Sequence, residues 1–250
     1  MCDKLIYHKS DGTPRRPRQS ALSSKDRFFM TLVRLRRAVP IKDLAACFEV
    51  SMSFASTVTY TWIRFLGLQF QVLSKRMFVG TAAQNVNKLP AFKRFRNLRV
   101  IIDCAEFKIQ KSKNFQMQSN TWSTYKSDNT VKYLFGMSTY TGASFVSRGC
   151  EGSMSDKEVT EVSGFYDHLV PGDKVMCDRG FDIEPELNQR GVGIIRPAFL
   201  GKRDALTALE IRESQDVSSS RIFVEILIKK SQRFQNSQIQ NLQQTFAHTR

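Results

Sequence analysis

In Val100-Ile101-Ile102-Asp103, three β-favouring apolar residues lead directly into a carboxylate, and the stretch predicts a central core strand. A second stretch of the same kind, Val175-Met176-Cys177-Asp178, follows further along the chain. Each apolar run has the length of a short core strand, so each aspartate is predicted to stand at the C-terminal end of a strand. Neighbouring parallel strands would direct both carboxylates into one crevice. Taken singly, an aspartate at a strand end is more often a turn former than a functional group.

Further strand and helix signals surround these two stretches. The apolar run at 131–137 predicts a strand, and the turn residues Thr141-Gly142 followed by residues 143–147 predict that it forms a hairpin. Ser155, with Glu158 three residues later, predicts a capping box that opens a helix through about residue 169. The order of strands and helices favours a mixed α/β core.

Three more elements complete the predicted core. Residues 184–190 predict a brief helix, and residues 193–195 predict a buried strand. The last element, at 218–233, is ambiguous, because its apolar triplets favour a strand whereas its length and polar flanks favour a helix. We predict a helix there.

The composition indicates a folded protein with a polyanionic partner. Of the 250 residues, 41% are apolar, which is enough for a core, and 38 Lys and Arg against 23 acids give a formal charge of +15. Nucleic acid is the partner that this charge favours, and a generically basic protein is the alternative. The five cysteines form an odd set without a Cys-x-x-Cys pair, so neither a disulfide framework nor a zinc site is indicated. Without a long apolar run, the sequence predicts an intracellular, soluble protein.

Residues 43–58 carry small and apolar side chains where a tight helix-turn-helix needs them. Ala45 lets the two helices approach, Phe48 and Val50 fill the corner, and Val58 anchors the second helix. A helix at 26–37 would complete a trihelical unit. Glu49 occupies the turn position that is usually glycine, where a positive φ costs about 1 kcal/mol. A helical hairpin that serves only for packing is the alternative.

Polar residues of the second predicted helix, at about 51–66, would face DNA. The residues predicted to contact bases or phosphates are Ser53, Ser56, Thr57, Thr59, Arg34, Arg36, Arg37 and Arg64.

Five motifs in order, between about residues 98 and 225, resemble the DDE superfamily endonucleases of the Harbinger and related insertion-sequence transposases. They are Ile101-Ile102-Asp103-Cys104-Ala105-Glu106, Thr121-Trp122-Ser123-Thr124-Tyr125-Lys126, Asn129-Thr130-Val131-Lys132, Gly152-Ser153-Met154-Ser155-Asp156-Lys157 and Asp178-Arg179-Gly180-Phe181-Asp182-Ile183. The helix-turn-helix upstream resembles the usual N-terminal module of that family.

The resemblance implies a ribonuclease-H-like catalytic core, preceded by a small all-helical helix-turn-helix domain. The first strand would carry Asp103, a later strand Asp178, and a helix after an insertion the third acid, which by position is Glu225. These three would be the catalytic residues and the ligands of two Mg²⁺ or Mn²⁺ ions, which drive phosphodiester hydrolysis and strand transfer.

The segment around Glu225 departs from the family pattern, and two alternatives to an active nuclease stay open. Family members usually have His-Val-Glu-Arg here, whereas Phe223 and Ile226 stand at the His and Arg positions. One alternative is a catalytically inactive, domesticated or truncated transposase relic that acts only as a DNA-binding protein. The other is an interaction module whose basic surface binds an acidic protein.

Further residues near the motifs are candidates for lesser roles. Asp156, Glu106 and Asp182 each lie near a motif and rank below the trio, with Asp156 as the candidate auxiliary acid. DNA contacts are predicted for Trp122, Lys126 and Arg179, with packing or a surface ion pair as the alternatives.

The predicted organisation has five parts. They are a flexible basic arm at 1–24, a helix-turn-helix region at 25–70, a basic connector at 71–97, a ribonuclease-H-like nuclease core at 98–234 and a disordered tail at 235–250. The expected partner is double-stranded DNA at transposon ends, in the nucleus. A homo-oligomer is compatible with this interpretation, and neither a membrane nor an organic cofactor is expected.

Overall fold

The computed structural model describes residues 7–8, 13–15, 22–37, 39–78, 88–140, 142–198 and 205–233. Its described residues fall into two compact units, one up to Leu73 together with residues 232–233 and the other from Ser74 to Ser231. Most of the predicted basic arm and all of the predicted tail at 235–250 lie outside the described residues. Among the helices that are described, none is long and apolar enough to cross a membrane.

The described part of the N-terminal unit contains three helices, as the sequence predicts. They are α1 (Ser24–Arg37), α2 (Ile41–Cys47) and α3 (Met52–Met77), and two short strands, β1 (Tyr7–His8) and β2 (Pro14–Arg15), pair antiparallel before them. The prediction that the third helix ends near residue 66 is wrong, because α3 continues to Met77. Its continuation holds no proline, and a single glycine, Gly67, weakens a helix without ending it. The predicted connector therefore begins inside a helix, and its residues 79–87 are not described.

The corner between α2 and α3 is packed as the small residues predict. Ala45 and Val58 are buried in one apolar cluster, against which Phe48 and Val50 pack. The turn is closed by the Val50 amide, which donates to the Ala45 carbonyl over 2.9 Å. Glu49 has a φ of 53°, which is the left-handed backbone expected at this turn.

The second unit is built on a mixed sheet. Its elements are β3 (Leu98–Lys108), α4 (Phe115–Thr121), β4 (Trp122–Ser123), β5 (Asp128–Ser138), β6 (Ala143–Val146), β7 (Cys150–Glu151), α5 (Asp156–Val162), β8 (Lys174–Met176), α6 (Glu184–Gln189), β9 (Gly193–Ile195) and α7 (Ala208–Arg233), with 3-10 turns at Pro90–Phe92 and Phe165–His168.

The strand order places β3 at the centre of the sheet. β5 pairs antiparallel with β3 on one side and also with β4, β6 and β7, while β8 and then β9 continue the sheet on the other side in parallel. The mixed α/β class is confirmed, and the arrangement is the ribonuclease-H-like one that the motif order implies. The first core strand carries Asp103, Asp178 follows a later strand, and a helix carries Glu225.

Several predicted boundaries differ from those in the structure. β3 is longer than its apolar run, because its antiparallel pairing with β5 continues through Lys108. The helix that opens at Ser155 has the predicted capping box but ends at Val162, since Gly164 takes a φ of 72° and turns the chain. β9 is half-buried rather than buried. Of the predicted hairpin turn, Thr141 lies outside the described residues.

The ambiguous last element is a helix, as predicted, and its apolar side covers one face of the sheet. Val217, Val224 and Ile228 of α7 are buried in a cluster with Ile101 of β3 and Met176 of β8. The other face packs a second cluster that includes Val159 of α5 and Leu187 of α6. α7 therefore lies on the side of the sheet to which Ile101 points, and Asp103 shares that side by strand alternation.

Candidate active site

The parallel pairing of β3 with β8 places Asp103 and Asp178 side by side. Ile101 of β3 is in register with Met176 of β8. Asp103 follows Ile101 by two residues, and Asp178 follows Met176 by two residues. The prediction that Asp103 ends its strand is wrong, because β3 continues past it to Lys108. The two aspartates can lie together without a strand end at Asp103. The shorter β8 stops at Met176 and leaves that edge of β3 open at Asp103.

A single guanidinium contacts both carboxylates. Arg221 of α7 places Nη1 2.9 Å from Oδ1 of Asp178 and Nη2 3.9 Å from Oδ2 of Asp103. Two acids that are distant in the sequence therefore share one cation.

The two aspartates differ in burial. The Asp103 side chain is 21% exposed and that of Asp178 is 50% exposed. Burial raises the pKa of Asp103 to about 6, against the opposing effects of Arg221 and of the Cys104 amide, which donates to Oδ1 over 3.0 Å. The Arg179 amide donates to Asp178 in the same way, over 2.7 Å. Each carboxylate is thus oriented by the next residue's backbone and has an oxygen directed towards α7.

Glu225 lies on α7 one helical turn after Arg221, and its side chain is partly buried. With the described part of the chain, the Glu225 side chain forms no hydrogen bond or ion pair. Nor do the described residues contain a group of three or more His, Cys, Asp or Glu side chains close enough to hold a metal ion. The geometry therefore joins two of the three predicted acids and leaves the role of Glu225 a prediction.

The two departures near Glu225 have different surroundings. The Phe223 ring contacts that of Phe92, with 5.2 Å between the ring centroids, and is 38% exposed. Ile226 is 43% exposed.

The auxiliary candidate Asp156 belongs to a buried polar cluster on the opposite side of β3. Lys132 of β5 places Nζ 3.2 Å from Oδ1 of Asp156 and 3.5 Å from Oε1 of Glu106, and it donates to the Met154 carbonyl over 2.7 Å. Burial alone would lower the pKa of Lys132, but the charges of Asp156 and Glu106 raise it above its usual value. Asp156 therefore already has a cationic partner.

Sequence reasoning missed the roles of Arg221 and Lys132. For Arg221 a signal exists, because a residue one turn before Glu225 on the same helix shares its side. Lys132 stands in a quoted motif, but only the pairing of β5 with β3 brings it to Glu106.

Most of the side chains predicted to contact DNA are accessible. Ser53, Ser56, Arg64, Trp122, Lys126 and Arg179 are exposed, and Thr57 is half-buried with its hydroxyl donating to the Ser53 carbonyl. The Lys126 ammonium lies 4.6 Å from the centroid of the Tyr125 ring, which is 81% exposed. The structure leaves these contacts as predictions.

Two predicted contacts with DNA are wrong for this fold. Thr59 is buried, because it lies on the side of α3 that faces the helical core. Arg34 is buried as well, and its guanidinium donates to the Val39 carbonyl over 2.8 Å. Its role is to hold the α1–α2 connection.

Comparison with known families agrees with both units. Residues 20–71 match the helix-turn-helix of DDE superfamily endonuclease, and residues 102–248 match the DDE superfamily endonuclease family. No curated protein and no solved structure matches the chain. The second match covers more than half of the chain and contains Asp178, Arg221 and Glu225, and it begins one residue before Asp103. The chain therefore belongs to the DDE superfamily of transposase-type endonucleases and carries the DNA-binding helix-turn-helix of that superfamily at its N-terminal end.

Proposed function

We propose that this protein is a transposase-derived DNA endonuclease that uses two divalent metal ions, Mg²⁺ or Mn²⁺, held by Asp103, Asp178 and Glu225. The observation that carries the proposal is the convergence of Asp103 and Asp178 on the Arg221 guanidinium, at 3.9 and 2.9 Å. Carboxylates brought together on neighbouring strands favour positive charge between them. Family membership supports the same chemistry.

The donor set fits hard divalent cations, because these ions prefer carboxylate oxygens. Asp103 and Asp178 already present oxygens towards a common cation, and Glu225 would join them through a change of its side-chain rotamer or a small shift of α7. Bound there, the ions would activate water or a 3′-hydroxyl and stabilise the leaving oxygen at a phosphodiester. The chain's own part is to hold the carboxylates in place through the amides of Cys104 and Arg179.

DNA would be engaged by both units. On α3, the proposed contacts are Ser53, Ser56, Thr57 and Arg64, in the manner of a recognition helix in the major groove. In the nuclease unit, they are Trp122, Lys126 and Arg179, with Arg179 next to Asp178 and so near the scissile phosphate. The formal charge of +15 would favour binding to any duplex, so the helix-turn-helix would supply the preference for transposon ends. Nuclear localisation and self-association belong to the same proposal.

A plasmid-nicking assay tests the nuclease. Supercoiled DNA is incubated with Mg²⁺ or Mn²⁺ and with the wild-type chain, Asp178→Asn or Asp167→Asn. Asp167 is an exposed acid that is not a candidate for the site, so its variant controls for the loss of one negative charge. Metal-dependent nicking by wild type and Asp167→Asn, with a loss of at least about a hundredfold for Asp178→Asn, is expected. Equal nicking by all three proteins would refute the assignment.

A second candidate is a DNA-binding protein without turnover. The observations that favour it are the absence of a metal-holding group of three side chains among the described residues and the substitutions at Phe223 and Ile226. Salt-dependent binding to duplex DNA, with no nicking by any of the three proteins in either metal, would support it. Failure to bind DNA would refute both candidates and leave the interaction module.

A further inference from the structure

Arg221 occupies the space between Asp103 and Asp178, where the proposed metal ions would bind. We propose that Arg221 is a resident cation of the acidic pocket, which holds Asp103 and Asp178 together until a divalent ion displaces it. The inference rests on the proposed function for the identity of the incoming ion, and it adds an intramolecular competitor for the metal site.

The charge balance of the pocket supports a side-chain cation that a divalent ion can replace. Two carboxylates on adjacent strands repel each other, and one guanidinium between them offsets only part of their combined charge. The pocket therefore keeps a residual attraction for a more highly charged ion. A divalent ion satisfies the same two carboxylates more fully than a monovalent side chain.

The bonding of Arg221 is incomplete, which supports displacement. Nη1 is within hydrogen-bond distance of Asp178, whereas Nη2 at 3.9 Å from Asp103 is not. The side chain is only 12% exposed, and its Nε is buried without a hydrogen-bond partner. A buried donor left unpaired is costly, so this guanidinium is held less firmly than a bidentate arginine.

The helix that carries Arg221 also carries Glu225, which connects the two states. Both residues lie on the same side of α7, one turn apart. When the guanidinium leaves the two aspartates, the space that it occupies becomes available to a ligand from that side of the helix. Metal binding would thus remove the Arg221 guanidinium from the pocket and bring in a divalent ion together with the Glu225 carboxylate.

The test measures Mn²⁺ binding to the full chain without DNA, by calorimetry or by the spin-resonance signal of free Mn²⁺. The proteins are wild type, Arg221→Gln, Arg221→Lys and Arg212→Gln. Arg212 is an exposed arginine of the same helix that forms no ion pair with any described residue, so its variant matches the charge change outside the pocket. Far-UV circular dichroism checks that each variant is folded, and Arg221→Lys keeps a cation if the glutamine variant fails to fold.

Arg221→Gln is expected to bind Mn²⁺ at least about tenfold more tightly than wild type, with Arg221→Lys in between and Arg212→Gln unchanged. The gain must disappear when Asp178→Asn is added to Arg221→Gln, since this places the ion in the pocket. Equal affinity of wild type and Arg221→Gln, or a gain that survives Asp178→Asn, would overturn the inference.

The outcome separates this inference from the proposed function. If Arg221→Gln binds Mn²⁺ no more tightly but nicking still depends on Asp178, Arg221 is not a competitor and the nuclease assignment stands. If no protein binds Mn²⁺ and none nicks DNA, both proposals fail.

Discussion

Replacing Lys132 by methionine should destabilise the nuclease unit strongly, because it removes the cation from a buried cluster. The Lys132 side chain is 10% exposed and that of Glu106 is 8% exposed, so the substitution removes an ammonium that lies 3.5 Å from a buried carboxylate. Breaking a buried ion pair in this way costs about 3–5 kcal/mol, and we expect the lower end, since Asp156 is 34% exposed and gains solvation.

Lys108→Met is the matched control, because it removes a lysine that pairs with an aspartate on the same two strands. Lys108 lies 2.9 Å from Asp128, but its side chain is 73% exposed and that of Asp128 is 40% exposed. A pair that stays in contact with water contributes little, so this variant should unfold at nearly the wild-type denaturant concentration.

The assay is urea unfolding followed by tryptophan fluorescence in a Trp62→Phe background. The chain has two tryptophans, of which Trp62 lies in the helical unit, so the remaining signal from Trp122 reports the nuclease unit alone. Since the folded-state pKa of Lys132 is raised, its contribution is complete at neutral pH and is lost only as the pH rises through that pKa. Equal midpoints for Lys132→Met and Lys108→Met would refute the reasoning.

Three further predictions concern the turn, a glycine and the cysteines. Glu49→Gly should stabilise the helical unit by about 0.5–1 kcal/mol in thermal unfolding, because it relieves a left-handed backbone, whereas Glu49→Ala keeps the strain and should not; no difference between the two would contradict the argument. Gly152→Ala should destabilise the nuclease unit by about 1–3 kcal/mol, since the new Cβ would lie 2.2 Å from Thr130 Oγ1 and 2.6 Å from the Thr121 carbonyl oxygen. Gly142→Ala, which meets no atom within 4 Å, is its control, and equal unfolding midpoints for the two would count against the packing. In native thiol labelling at pH 8, Cys47 should react and Cys177 should not, because Cys47 is exposed whereas burial raises the pKa of Cys177 to about 12; mass spectrometry that finds Cys177 labelled as fast as Cys47 would disprove this.

Local signals in the sequence were sufficient for much of the fold. Apolar runs predict the core strands, the small and apolar residues at 43–58 predict the helix-turn-helix, and Ser155 with Glu158 predicts a helix start that has the expected cap. Each of these patterns depends on residues that are close together in the sequence, so it can be recognised without the tertiary structure. Boundaries were less predictable, since β3 is extended by its pairing with β5 and α3 continues through Gly67.

Residue type and local spacing were enough to predict that each of two aspartates follows an apolar run and that a glutamate lies in a helix near residue 225. The pairing of Ile101 with Met176, the position of Arg221 between Asp103 and Asp178, and the contacts of Lys132 with Glu106 and Asp156 became visible in the folded chain alone. These contacts depend on which strands pair and in what register, and on which side of α7 faces the sheet. Those choices are made by the burial of apolar surface over the whole unit, so no local stretch of sequence specifies them.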